Sequence, residues 1–250
     1  MRARTSREKA DLVASTAVVA QTAARHPNLV ASRRHLLVVL AVLVLNAGRS
    51  WLHAAQSRGE AGPARSLMYL RTIFFELVVR AIVVAGVRRY GGSLRALFGG
   101  RWVSLGAFLR DLGIGLGLWF AALVAVSILG SHSAPPDQSI RFLLPGNLLE
   151  ACLWIALSIV AGISEEAVYR GYLQTQLSSL TRSYSIGILA SAAAFGAAHG
   201  YQGLARACVI AAAAVLYGLV AKWRQTVRPG MFAHVFQDAI APALVRLMRH

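Results

Sequence analysis

The chain has 250 residues, of which 56% are hydrophobic and only 14% charged, and its mean hydropathy is +0.55. A soluble domain of this length is rarely so apolar, so most of the chain is expected to lie in a bilayer as an all-α, polytopic membrane helix bundle. The formal charge of +16 does not point to nucleic acid, because the arginines sit between apolar runs rather than in one stripe with interleaved aromatics.

Residues 1–34 read as a basic arm, with Arg2, Arg4, Arg7, Lys9, Arg25, Arg33 and Arg34 and a short helix over residues 8–24; a tail that only sets topology accounts for it. The first apolar run, residues 35–48, follows without a small-residue cleavage pattern and is expected to stay as an anchor. Further runs cover residues 73–87, 112–130, 148–163, 186–200, 207–221 and 231–248, about seven transmembrane helices in all. A span needs about 20 residues, which several reach only with their flanks. Residues 35–144 are therefore expected to hold the N-terminal transmembrane helices. Within them, residues 91–111 mix Leu94, Leu97, Phe98, Trp102, Leu105, Phe108 and Leu109 with arginines at helical spacing, which reads as a segment along the membrane interface. Glu76 and Arg80, four apart, read as a structural ion pair. Glu150 is placed to complement the N-terminus of the fourth span.

Charge alternates between the connections. The arm is basic, as are Arg88, Arg89, Arg95 and Arg101, and then Lys222, Arg224 and Arg228, whereas residues 131–146 carry one arginine. This places the N-terminus in the cytoplasm of a multi-pass cell-membrane protein, and an odd number of spans puts the C-terminus outside. Cys152 and Cys208 fall in apolar runs and read as small hydrophobes. No repeated halves or paired broken helices suggest a transporter.

The stretch "AGISEEAVYRGYLQ", residues 161–174, sets Glu165, Glu166 and Arg170 against an apolar helix. Three ionised groups at a helix centre cost roughly 8–10 kcal/mol on insertion scales, so they must be paired, hydrated or used. Glu166 and Arg170 are four apart and share a helix face, which predicts a buried structural pair; Glu165 points away from Arg170 and is left for chemistry. His199 follows Phe195 by four in "FGAAHG", and His234 precedes Asp238 by four in "HVFQD". Together these residues predict a polar site inside the bundle. Glu165, His199 and His234 also make up a three-ligand zinc set with an open position for water. Without metal, Glu165 and His199 would activate water while His234 and Asp238 steady the oxyanion or its donors. The residues alone leave both open.

These three motifs, in this order, closely resemble those of the CPBP family of intramembrane proteases, also called the CAAX protease or Abi family. "EEAVYRGYL" looks like its first motif and "FGAAHG" like its second; the resemblance covers roughly residues 145–247 and makes residues 145–250 the catalytic helices. It implies an intramembrane endopeptidase, metalloprotease-like if zinc is bound, with Glu165 as the water-activating carboxylate and Glu166 beside it in the catalytic motif. His199 would be its partner or a metal ligand, His234 and Asp238 the oxyanion or ligand group, and Phe195 a supporting residue. The prenyl-protein proteases carry Asn at the position of Asp238, which can donate a hydrogen bond as an ionised Asp cannot. The Ala- and Arg-rich composition suits a bacterium with a GC-rich genome, where prenylated CAAX proteins are not expected. The substrate implied is therefore a membrane-associated peptide or protein in the lipid bilayer. The competing reading is a non-catalytic membrane scaffold or bacteriocin-immunity-type protein whose polar groups only fix helix packing.

Overall fold

A computed structural model describes residues 28–56, 65–130 and 143–247. The helix expected over residues 8–24, most of the connection 131–146 and the final three residues lie outside the described residues.

All seven apolar runs are helical. The long helices are α1 (Arg33–Gln56), α2 (Arg65–Arg89), α4 (Leu105–Gly130), α5 (Leu148–Glu165), α7 (Tyr184–Ala198), α8 (Leu204–Arg224) and α9 (Arg228–Leu247), with a short α3 at Arg95–Phe98. α5 continues without a break through a π-helical segment, Glu166–Gln174, into α6, Thr175–Thr181. Among the described residues no strand occurs, and four helices are long and apolar enough to cross a membrane: residues 33–52, 105–130, 148–181 and 204–224. The other three runs fall short alone. At 15 residues, α7 rises only about 22 Å against a hydrocarbon core of about 30 Å, and α2 carries Arg71, Glu76 and Arg80 within its length. Leu37, Leu45, Phe74, Phe120, Ile128 and Leu189 are exposed. Such a belt is what a helical membrane bundle turns to lipid.

Helix ends follow local chemistry. Asn147 caps α5 by accepting from Glu150 N, and Glu150 in turn accepts from Gly146 N at 2.7 Å and pairs with Arg65 at 3.6 Å. Residues 28–32 are tied to α6: Val30 N and Ala31 N both donate to Gln176 Oε1, and Gln176 Nε2 donates to Ala31 O. Beside them, His35 Nε2 donates to Ile82 O, so its Nδ1 accepts from the Tyr172 hydroxyl, locking α1, α2 and the π segment together.

Residues 91–111 do not form one surface helix. Gly99 takes φ +74, where a Cβ would also run into Thr226, and the chain breaks there; residues from Leu105 onward are the first turns of α4. Asp111, fully buried, accepts from Trp102 Nε1 at 3.0 Å and pairs with Arg224 at 3.2 Å and Arg228 at 3.0 Å. Contacts of Gly92 with Val30 and of Gly100 with Arg228 bring the basic segments near residues 30, 90–101 and 224–228 to one end of the molecule. Cys152 and Cys208 are exposed and unbridged.

Candidate active site

The π segment carries the first motif. All nine of its residues are buried, and neighbouring helices bond to it: Ser191 Oγ donates to Tyr169 O at 2.7 Å, and Gln174 Nε2 to Gly218 O at 3.0 Å. A turn closed to the fifth residue rotates less per residue than an α-helix, and such turns recur at functional sites. Here it directs the adjacent Glu165 and Glu166 toward the same helix, α9.

Glu166 is sealed in. Its Oε1 accepts from Arg170 NH1 at 2.8 Å, with both side chains at most 2% exposed, and Arg170 NH2 also donates to Ala214 O at 3.3 Å. The guanidinium lies over the Phe195 ring at 4.5 Å and the Tyr217 ring at 5.2 Å, so cation–π contacts replace the hydration it has lost.

His234 joins the carboxylates. Its Nδ1 donates to Glu166 Oε1 at 3.3 Å, while Nε2 faces Glu165 Oε2 at 3.5 Å and Asp238 Oδ2 at 3.6 Å. Exposure rises steadily outward, from Glu166 at 1% through His234 at 7% and Glu165 at 16% to Asp238 at 33%. Glu165 is thus the reachable one of the glutamate pair, and its Oε2 accepts no hydrogen bond among the described residues. A cavity of about 40 Å³ lined by Glu166, Phe195, Tyr217, His234 and Gln237 adjoins this centre and is large enough for water.

His199 enters from α7. Its Nδ1 donates to Phe195 O at 2.9 Å, which fixes the tautomer and leaves Nε2 as the acceptor. The Phe195 ring stands between the histidines, its centroid 4.6 Å from that of His199 and 5.7 Å from that of His234. Glu165, Glu166, Phe195, His199, His234 and Asp238 are therefore neighbours.

Zinc needs Glu165, His199 and His234 to converge on one point. Among the described residues no three His, Cys, Asp or Glu side chains do so, and His234 Nε2 already faces two carboxylates. The donor set as arranged does not fit the ion.

Counting from Asn147 predicts that Glu165 lies near the end of its span, at odds with His199. The structure differs, because the helix runs on from Glu165 to Thr181 and places the glutamates mid-helix.

Three contributors escape sequence reasoning. Glu76 makes no ion pair with Arg80 among the described residues; α2 packs along α5, and Glu76 lies within electrostatic reach of Glu165, His234 and Arg80. The i, i+4 spacing permitted the pair, but packing against α5 overrides it. Trp154 Nε1 donates to Asp238 O at 2.8 Å, and Tyr217 OH to Gln237 Oε1 at 3.4 Å. Nothing in their local sequence marks them.

Close helix approach depends on glycine. A Cβ on Gly162 would stand 2.8 Å from Val235 N, and one on Gly230 2.6 Å from Glu166 Oε2. Because a backbone nitrogen cannot swing aside, Gly162→Ala is expected to push α9 away and cost about 1–3 kcal/mol. Thermal unfolding in detergent should show the lower midpoint, together with a loss of any activity that depends on the Glu165–His234 contact.

Residues 147–240 match the family described as type II CAAX prenyl endopeptidase Rce1-like. Neither a curated protein nor a solved structure matches the chain. The matched residues run from the cap of α5 to the middle of α9 and contain every member of the centre described above except Glu76.

Proposed function

We propose, from the match of residues 147–240 to the Rce1-like family of CAAX endopeptidases and the geometry of the site, that this chain is an intramembrane endopeptidase of the CPBP, or CAAX protease, type. It hydrolyses peptide bonds in membrane-associated peptides or proteins, with water activated by side chains of the bundle. The observation that carries this reading is the contrast between two adjacent carboxylates. Glu166, 1% exposed, is held through Oε1 by Arg170 at 2.8 Å and by His234 Nδ1 at 3.3 Å, while Glu165 keeps 16% of its side chain accessible and pairs with no arginine among the described residues. A packing residue would be sealed and ion-paired like Glu166; a general base needs the access of Glu165.

The division of labour follows from the contacts. Glu165 takes a proton from water as it attacks the scissile carbonyl, and His199, with Nε2 as acceptor, orients or shares that proton. His234 is held through Nδ1 by Glu166 and presents Nε2 beside Glu165 and Asp238, where negative charge and protons move during the reaction. Asp238 stands where the prenyl-protein proteases have Asn, and unless protonated it cannot itself donate to an oxyanion. It acts through His234 instead. A substrate without a prenyl group is favoured on this ground. The basic end of the molecule faces the cytoplasm of a cell membrane, by the bias of arginine and lysine.

The test is purified protein in detergent with a panel of membrane-anchored peptides, prenylated and unprenylated, comparing wild type, Glu165→Gln and His199→Ala. Cleavage by wild type alone supports the reading. Equal cleavage by all three rejects the site, and a cellular phenotype that persists in Glu165→Gln favours a scaffold. Metal analysis of the same preparation and a chelator arm decide whether an ion takes part.

A further inference from the structure

We infer that Ser50 and Trp51, on α1 and outside the residues that match the family, are positioning residues that hold His199 in place. The inference rests on the reading of His199 as part of the active site.

A helix leaves its last carbonyls without partners. At the end of α7 each is accounted for. Phe195 O accepts from His199 Nδ1 at 2.9 Å and Gly196 O from His199 N at 3.0 Å. Ala197 O accepts from Trp51 Nε1 at 3.1 Å, and Ala198 O from Ser50 Oγ at 2.9 Å. Ser50 Oγ then accepts from Tyr201 N at 3.0 Å. One hydroxyl therefore grips the backbone immediately before and two residues after His199.

The indole of Trp51 packs against Gly200, where an added Cβ would stand 2.2 Å from the nearest ring atom. His199 itself sits at φ −93, ψ 15, the sparsely populated bridge region in which active-site residues are often found. The bridge conformation, the packed indole and the two-sided hydroxyl together set the direction in which the imidazole leaves the chain. The ring's own bond to Phe195 O sets its rotation. An interfacial tryptophan in a lipid belt would present its N–H to water or headgroups. This one donates into the protein.

The sequence context explains how α1 reaches the site. Its apolar run ends at residue 48, but the helix continues to Gln56, and Ser50 and Trp51 lie on that extension. The first helix thus supplies more than an anchor. A match confined to residues 147–240 has no means of including it.

The test uses full-length protein in detergent with Ser50→Ala, Ser50→Thr and Trp51→Phe, the last removing the N–H while keeping a ring. Hydrogen exchange is read on the peptide spanning residues 199–203, and kcat and KM on a peptide cleaved by wild type. Ser50→Ala should exchange the Tyr201 amide on the order of tenfold faster while exchange in the α5–α9 core stays unchanged. Both Ser50→Ala and Trp51→Phe should lower kcat on the order of tenfold with KM within about twofold, because the imidazole is misplaced rather than the substrate released. Ser50→Thr, which keeps the hydroxyl, should restore most of the rate. Unchanged exchange at residues 199–203 in Ser50→Ala, or unchanged kcat in both Ser50→Ala and Trp51→Phe where His199→Ala is inactive, overturns the inference. If wild type cleaves no peptide, the catalytic reading falls separately, and the exchange data still decide whether the clamp exists.

Discussion

Glu165→Gln is expected to reduce cleavage by about 10²- to 10⁴-fold, the usual contribution of a positioned general base, without loss of the fold. The change keeps the shape of the side chain and removes a charge whose Oε2 has no hydrogen-bond donor among the described residues. The contact weakened is the one with His234 Nε2 at 3.5 Å, and Asp238 Oδ2 remains beside that nitrogen at 3.6 Å. The amide is less costly in an apolar setting than an unmatched carboxylate, so the thermal midpoint in detergent should stay level or rise. Steady-state rates and thermal unfolding on the same preparation check both halves. A drop in both would mean that Glu165 is a packing residue.

Arg170→Met should have the opposite signature. It leaves Glu166 with 1% exposure and without its cation, and breaking such a pair from one side costs about 3–5 kcal/mol. The guanidinium also caps the Phe195 and Tyr217 rings, so α7 and α8 lose a shared contact with the π segment. The variant should unfold at a markedly lower temperature. Adding Glu166→Gln to Arg170→Met should recover part of the loss, since the stranded charge is gone. Thermal unfolding of the two single variants and the double variant measures this coupling. Strict additivity would contradict the buried-pair account.

Much of this was legible in the sequence because the bilayer makes charge expensive. The insertion cost of Glu165, Glu166 and Arg170 marked the site, and the four-residue spacing of Glu166 and Arg170 marked the pair, which the structure contains at 2.8 Å. The π segment was not legible, since its residues are compatible with an ordinary helix and only the contacts of Tyr169, Arg170 and Gln174 with α7 and α8 favour the wider turn. The length of the helix beyond Glu165 was hidden for a related reason: hydropathy falls after Gly162, although the helix runs on to Thr181. Glu76 illustrates the limit of local rules. Its spacing to Arg80 suits a pair, but the decision belongs to α5, more than seventy residues away in the chain. Ser50 and Trp51 were hidden in the same way, because a serine and a tryptophan at the end of an apolar run suit any membrane interface.

The most direct test of water activation by Glu165 is a single-turnover cleavage in ¹⁸O-labelled water, with enzyme in excess over a membrane-anchored peptide and the products read by mass spectrometry. Direct attack by water predicts one ¹⁸O in the new C-terminal carboxylate from wild type, and little or no product from Glu165→Gln over the same interval. An unlabelled carboxylate in the first turnover, as attack by a side-chain carboxylate would give, contradicts the account, as does labelled product formed by Glu165→Gln at the wild-type rate.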